Sequence, residues 1–226
     1  MEKQDTFRVV VLIPAYKPDD RLIQLTRELK EEKLDVLLVD DGGQKPFAPI
    51  FEQCRALGAE IAVHAVNQGK GRALKTGLNA ALNIWPDLSG VVTADADGQH
   101  TLRDILRIIE AMREHPNALV LGSREFTGDV PFKSRWGNRI TRFVYALASG
   151  VHVSDTQTGL RGLPACAIPA MITIDGERYE YEMNVLLKLR DMKLGVVEVP
   201  IETIYIDDNS GSHFNPVRDA IRIYAV

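Results

Sequence analysis

Four short apolar runs, each closing in a polar loop, do most to restrict what this chain can fold into. They cover residues 9–13, 36–39, 61–66 and 91–93. The first is stopped by Pro14 and the second ends in Asp40-Asp41-Gly42-Gly43. The third ends in Asn67-Gln68-Gly69-Lys70-Gly71 and the fourth in Asp95-Ala96-Asp97-Gly98-Gln99. Continuous apolar character is the pattern of strands covered on both faces. Helical patterns lie between the runs. Asp19 and Asp20 open one with Leu22, Leu25 and Leu29 on a single side. Residues 46–57 form another, stopped by Gly58. A third runs from Arg72 through Leu74, Leu78 and Ala81 to Trp85, with Pro86 behind it. In the fourth, residues 102–112, Thr101 and Asp104 resemble a capping box with Asp in place of Glu. Residues 118–121 read as another short strand. This alternation predicts an α/β fold, a mostly parallel sheet with helices on both faces.

In such a sheet, ligands bind beyond the carboxyl ends of the strands. Residues two apart in an extended segment point the same way, roughly 6.6 Å apart at about 3.3 Å per residue. Asp95 and Asp97 therefore present two carboxylates to one spot past a strand end. Two hard oxygen donors suit Mg²⁺ or Mn²⁺, which bind through one or two carboxylates plus substrate phosphates. The bland alternative is a turn leading into a capped helix, since Asp and Gly favour turns. Gly69-Lys70-Gly71 lacks the spacing of a Walker loop, but it puts backbone N–H groups, Lys70 and Arg72 at a helix start, an anion site. No Gly-x-Gly-x-x-Gly occurs, which argues against a dinucleotide enzyme.

The bulk properties narrow the partners. A net charge of −4 over 226 residues leaves no basic footprint for nucleic acid. Cys54 and Cys166 have neither zinc-like nor redox spacing and read as thiols in a reducing compartment. No stretch reaches the 18 apolar residues of a membrane span, and the N-terminal apolar run is too short for a signal peptide. The chain as given reads as cytoplasmic.

The second half is less regular. Residues 134–149 predict a helix with Trp136, Ile140, Phe143, Val144 and Leu147 on one side and Arg135, Arg139 and Arg142 on another. Aromatic residues beside arginines suit anionic lipid headgroups, although a solvated helix face has the same pattern. A helix near 181–192 and a strand at 195–201 follow. Residues 207–214 read as a polar loop and 217–226 as a helix with no stop signal, so a C-terminal membrane domain could follow residue 226.

Taken in order, Pro14-Ala15-Tyr16, Asp40-Asp41-Gly42, Asn67 to Gly71, Asp95 to Gln99, Gly122-Ser123-Arg124, Asp155 to Arg161 and Val197 to Ile201 resemble the family 2 glycosyltransferases of GT-A fold. Within that family the set is most similar to the polyprenyl-phosphate sugar transferases, the dolichyl-phosphate mannosyl- and glucosyltransferase group. The resemblance implies one catalytic domain over residues 1–226, with 1–122 as the nucleotide-sugar half and 123–226 as the acceptor half. It implies Mg²⁺ or Mn²⁺ on Asp97 and Gln99, with Asp95 as a nucleotide-side contact counted among the candidate ligands. Pro14, Ala15, Tyr16, Asp40, Asp41, Lys70, Arg72 and Ala96 would complete the nucleotide-sugar site. Pro18 stands where related sequences often carry an acidic residue, which leaves the base open between UDP and GDP.

Arg124 and Arg161 are expected to grip phosphates, because a guanidinium fork matches their oxygens. Arg135 and Arg139 join Arg161 as candidates for the acceptor phosphate. Asp155 is expected to position and to act through its charge. A lipid monophosphate has a second pKa near about 6, so it is already an anionic nucleophile at neutral pH. Glu182 becomes the general base only if the acceptor is a hydroxyl. The expected partners are a nucleotide-sugar, a polyprenyl phosphate, the cytoplasmic membrane surface and a membrane protein or C-terminal membrane domain. Two other readings stay open: transfer to a glycan or protein hydroxyl, and a non-catalytic nucleotide-sugar-binding module.

Overall fold

The structure is a computed structural model and describes residues 7–43, 45–124, 155 and 158–202. The expected helix at 134–149, with Arg135 and Arg139, lies outside the described residues, as do the loop at 207–214 and the terminal helix at 217–226.

The described elements are β1 (Arg8–Ala15), α1 (Asp20–Glu31), β2 (Asp35–Asp40), α2 (Ala48–Ala56), β3 (Glu60–Val63), α3 (Lys70–Ile84), β4 (Leu88–Thr93), α4 (Leu102–Glu114), β5 (Ala118–Arg124), β6 (Arg161–Pro164), α5 (Ile168–Ile172), α6 (Glu180–Leu187) and β7 (Gly195–Ile201). The strands form one sheet in the order β3-β2-β1-β4-β6-β5-β7. The β1–β2, β1–β4, β2–β3 and β5–β7 pairs are parallel, while β6 runs antiparallel to β4 and β5. This is the mostly parallel sheet expected, with β6 as the addition.

Strand β6 carries no strand signal of its own. It is Arg161-Gly162-Leu163-Pro164, and Gly and Pro are poor strand residues. Packing explains the glycine: a Cβ on Gly162 would lie 2.5 Å from Met112 Sδ, on α4.

The alternation of side chains divides the core in two. Val10, Leu12, Leu37 and Val39 face α3, α5 and α6. Val9, Val11, Ile13, Val36 and Leu38 face α1, α2 and α4. Both faces of β1 are thus fully covered, which is why its sequence is continuously apolar.

Local chemistry sets the element ends. Asp19 caps α1 by accepting from Arg21 N. At α4 the Thr101 hydroxyl accepts from Asp104 N at 3.1 Å and donates to Asp104 Oδ2 at 2.8 Å. The expected reciprocal box is therefore replaced by a hydroxyl that works both ways. The expected helix at 46–57 divides into a 3₁₀ turn, Lys45–Phe47, and α2. Strand β3 is shorter than expected; the chain leaves the sheet after His64 N donates to Asp40 O.

Candidate active site

Strands β1, β2, β3 and β4 run parallel, so Ala15, Asp40, Val63 and Thr93 all end at one edge. Strand β6, entering from the opposite direction, places Arg161 opposite Thr93 at that same edge. Strand β5, parallel to β4, delivers Arg124 there.

Lys70, the first residue of α3, is the hub. Its Nζ lies 2.8 Å from Asp95 Oδ1 and 3.1 Å from Glu182 Oε2, on α6. The close approach needs glycine on both sides of the lysine. Gly69 adopts φ +102, and a Cβ there would lie 2.5 Å from Glu177 O. A Cβ on Gly71 would lie 2.7 Å from Arg178 O. Burial alone would lower the Lys70 pKa, but the attraction of Asp95 and Glu182 outweighs it and raises it. The converse holds for Asp95: burial opposes ionisation, yet Lys70 and then His100 hold its carboxyl well below the ordinary range. His100 Nε2 lies 3.3 Å from Asp95 Oδ2.

Asp97 differs. Among the described residues no Lys, Arg or His forms an ion pair with it; its Oδ1 accepts from Gln99 N at 3.0 Å. Burial, and then repulsion by Asp95, raise its pKa. Its carboxylate thus stands in an environment that favours an added cation. No three His, Cys, Asp or Glu side chains among the described residues converge as a metal cluster. Asp97 is the carboxylate here that could take a cation, with Gln99 two residues on and Asp95 paired to Lys70 beside it.

Other expected residues fall into different settings. Tyr16 is exposed, with Lys17 Nζ over its ring at 5.1 Å. Pro14 and Ala15 close β1, and Asp40 accepts from Gly43 N at 2.7 Å. Arg72 pairs with Glu177 on the exposed side. Ala96 sits between the two aspartates, half-buried. Arg124 clasps Asp155 with Nε at 2.6 Å and Nη2 at 3.1 Å, and Asp155 is fully buried.

Two placements differ from expectation. Asp41 is 4% exposed and its carboxylate accepts from His64, Gln68 N, Asn67 and Gly69 N. With every lone pair used, it holds the loop together instead of facing a base or ribose. Arg161 is 3% exposed and donates to Thr158 O at 2.9 Å and Glu182 O at 2.7 Å. A guanidinium so enclosed anchors α6 to β6 and is not open to an acceptor phosphate. His64, Thr76 and Glu177 carry no local sequence signal. Their signal is tertiary, because each acts on residues far off in the chain.

Comparison with known proteins places the chain in a family. Residues 10–182 match the model of glycosyl transferase family 2. The UDP-N-acetylglucosamine–dolichyl-phosphate N-acetylglucosaminyltransferase of Methanococcus voltae is 30% identical over 220 residues, covering 88% of this chain and 86% of that one. The polyprenol monophosphomannose synthase of Mycolicibacterium smegmatis is 26% identical over 214 residues, covering 87% and 77%. Among solved structures, glucosyl-3-phosphoglycerate synthase from Mycobacterium tuberculosis, in complex with Mn²⁺, UDP and phosphoglyceric acid, superposes with a TM-score of 0.70 at 14% identity, covering 97% and 75%. With the family model spanning most of the chain and a relative 30% identical over 88% of it, this protein belongs to glycosyl transferase family 2 and is a glycosyltransferase.

Proposed function

We propose that the protein transfers a hexose from a UDP- or GDP-sugar to a polyprenyl phosphate with inversion, in a reaction dependent on Mg²⁺ or Mn²⁺. The observation that carries this is the asymmetry of the acidic pair: Asp95 is neutralised by Lys70, while Asp97 has no cationic side chain paired with it among the described residues. The names of the relatives supply the acceptor class. A bound cation would offset the charge gathering on the departing nucleoside diphosphate.

The residues of this chain divide the work. The Gln68 and Gly69 amides are taken by Asp41, so the donor diphosphate is assigned to the start of α3, at Lys70 and Gly71, which that loop positions. Asp97 and Gln99 would hold the cation, with Asp95 as the contact on the nucleotide side. The acceptor phosphate oxygen forms a bond to the anomeric carbon as the bond to the diphosphate breaks. No proton has to be removed from the acceptor, so the Arg124–Asp155 pair serves to order the site. No helix among the described residues is long and apolar enough to cross a membrane. Contact with the lipid is assigned to the bilayer surface, where Arg135 and Arg139 are the sequence candidates.

A screen of radiolabelled UDP- and GDP-sugars with Mn²⁺ and polyprenyl phosphate tests the reading. Label should pass into the organic phase with one donor at least, and fail to do so when polyprenol replaces its phosphate. Equal labelling of the free alcohol would assign a hydroxyl acceptor instead.

A further inference from the structure

The family reading leaves one buried polar chain unused, at the back of the loop that leads into the donor edge. His64 is 8% exposed, one residue past β3. Its Nδ1 lies 2.8 Å from Asp41 Oδ1, and its Nε2 lies 2.9 Å from Thr76 Oγ1, on α3. Asp41 also accepts from Gln68 N at 2.8 Å, Gly69 N at 2.9 Å and Asn67 Nδ2 at 2.8 Å.

Hydrogen-bond chemistry fixes the direction of this chain. A carboxylate that already accepts from two backbone amides and an asparagine is acceptor-only, so Nδ1 of His64 must donate to it. In the neutral ring Nε2 then accepts, and the Thr76 hydroxyl is the donor. The imidazole is therefore a rigid spacer between the carboxylate past the end of β2 and the second turn of α3. On one side of it Asp41 fixes the amides of Gln68 and Gly69. On the other, Thr76 fixes the helix that begins at Lys70. Backbone contact closes the same junction, since a Cβ on Gly42 would lie 2.3 Å from Asn67 N.

We infer that His64 is a positioning residue for donor binding: through Asp41 and Thr76 it sets the loop from Asn67 to Gly71, and with it Lys70, against the sheet edge. It touches no reacting atom. This rests on the assignment of the start of α3, which that loop positions, to the nucleotide-sugar. Its loss should weaken donor binding more than turnover, because an anion cradle acts on ground and transition state alike.

The test compares wild type, His64→Ala, His64→Asn and Thr76→Val by amide exchange and by titration with UDP and GDP in Mn²⁺. Asparagine places an amide N–H near the position of Nδ1, so it keeps the bond to Asp41 and drops that to Thr76. His64→Ala should speed exchange at Gln68 and Gly69 by about tenfold, the loss of a buried partner, and weaken nucleotide binding by a similar factor. His64→Asn should recover most of both, and Thr76→Val should fall between it and wild type. The acceptor KM should stay where it is. Unchanged nucleotide affinity in the alanine variant overturns the inference, as does a rise in exchange no greater at Gln68 and Gly69 than in β1. If His64→Ala does not fold, the same comparison stands on His64→Asn and Thr76→Val: an unchanged affinity in Thr76→Val overturns it. Wild type that binds neither nucleotide overturns the functional reading, while exchange at Gln68 and Gly69 still decides whether His64 holds the loop.

Discussion

Asp95 and Asp97 are the same residue type two positions apart, yet their surroundings push them in opposite directions. Lys70 and His100 keep Asp95 ionised, whereas burial and its neighbour make ionised Asp97 costly. Asp97→Asn should therefore leave the fold intact and lower transfer by about a hundredfold or more, the scale of a lost Lewis-acid site, as an initial-rate assay would show. Glu182 separates the acceptor classes. A general base contributes roughly 10²–10⁴-fold, so Glu182→Gln should cost less than about tenfold if the nucleophile is a phosphate. A larger loss in kcat would assign a hydroxyl acceptor. The Lys70–Asp95 pair also sets a pH dependence of stability. Asp95 is lowered, so its contribution is present above the unfolded value of about 3.9 and is lost as pH falls through its folded value. Lys70 is raised, so its contribution is present below about 10.4 and is lost as pH rises through its folded value. The difference in Tm between wild type and Lys70→Met should accordingly be largest near neutrality and shrink in strong acid.

At the scale of elements, the parallel strands were readable because burial on both faces writes itself as unbroken Val, Leu and Ile. Thr101 marked the start of α4 for the same local reason. What was not readable depends on contacts far apart in the chain. Strand β6 is four residues shaped by Met112 and Ile108 on α4. Asp41 looked like a ligand contact because Asp-Asp-Gly at a strand end resembles one; only the fold reveals four donors converging on it. Arg161 has the sequence setting of a phosphate grip, but it is buried and donates to Thr158 O and Glu182 O. The junction of α3 with the segment before α6 gives a test at this scale. Ala at position 71 would favour the helix by about 1 kcal/mol. Its Cβ would also press on the backbone at 177–178 and on Tyr181. Overpacking typically costs about 1–3 kcal/mol, so Gly71→Ala should lower Tm by several degrees and weaken nucleotide binding together.

Across the whole molecule, Lys70 ties the tip of β4 to α6, and Glu177 ties α6's approach to α3 through Arg72 and Lys75. The donor edge and the later part of the chain are thus joined by charge pairs as well as by the sheet. The arginine-rich segment at 134–149 is the candidate for membrane contact. An Arg135/Arg139 double alanine variant should sediment less with vesicles carrying polyprenyl phosphate, while its affinity for soluble nucleotide stays unchanged. The claim on which all of this turns is that Asp97 is the carboxylate waiting for a cation. Electron paramagnetic resonance of Mn²⁺ in the presence of nucleoside diphosphate measures it directly. Wild type should remove free Mn²⁺ from solution only when nucleotide is present, and Asp97→Asn should do so at least about thirtyfold more weakly. Equal Mn²⁺ uptake by the two proteins would contradict it.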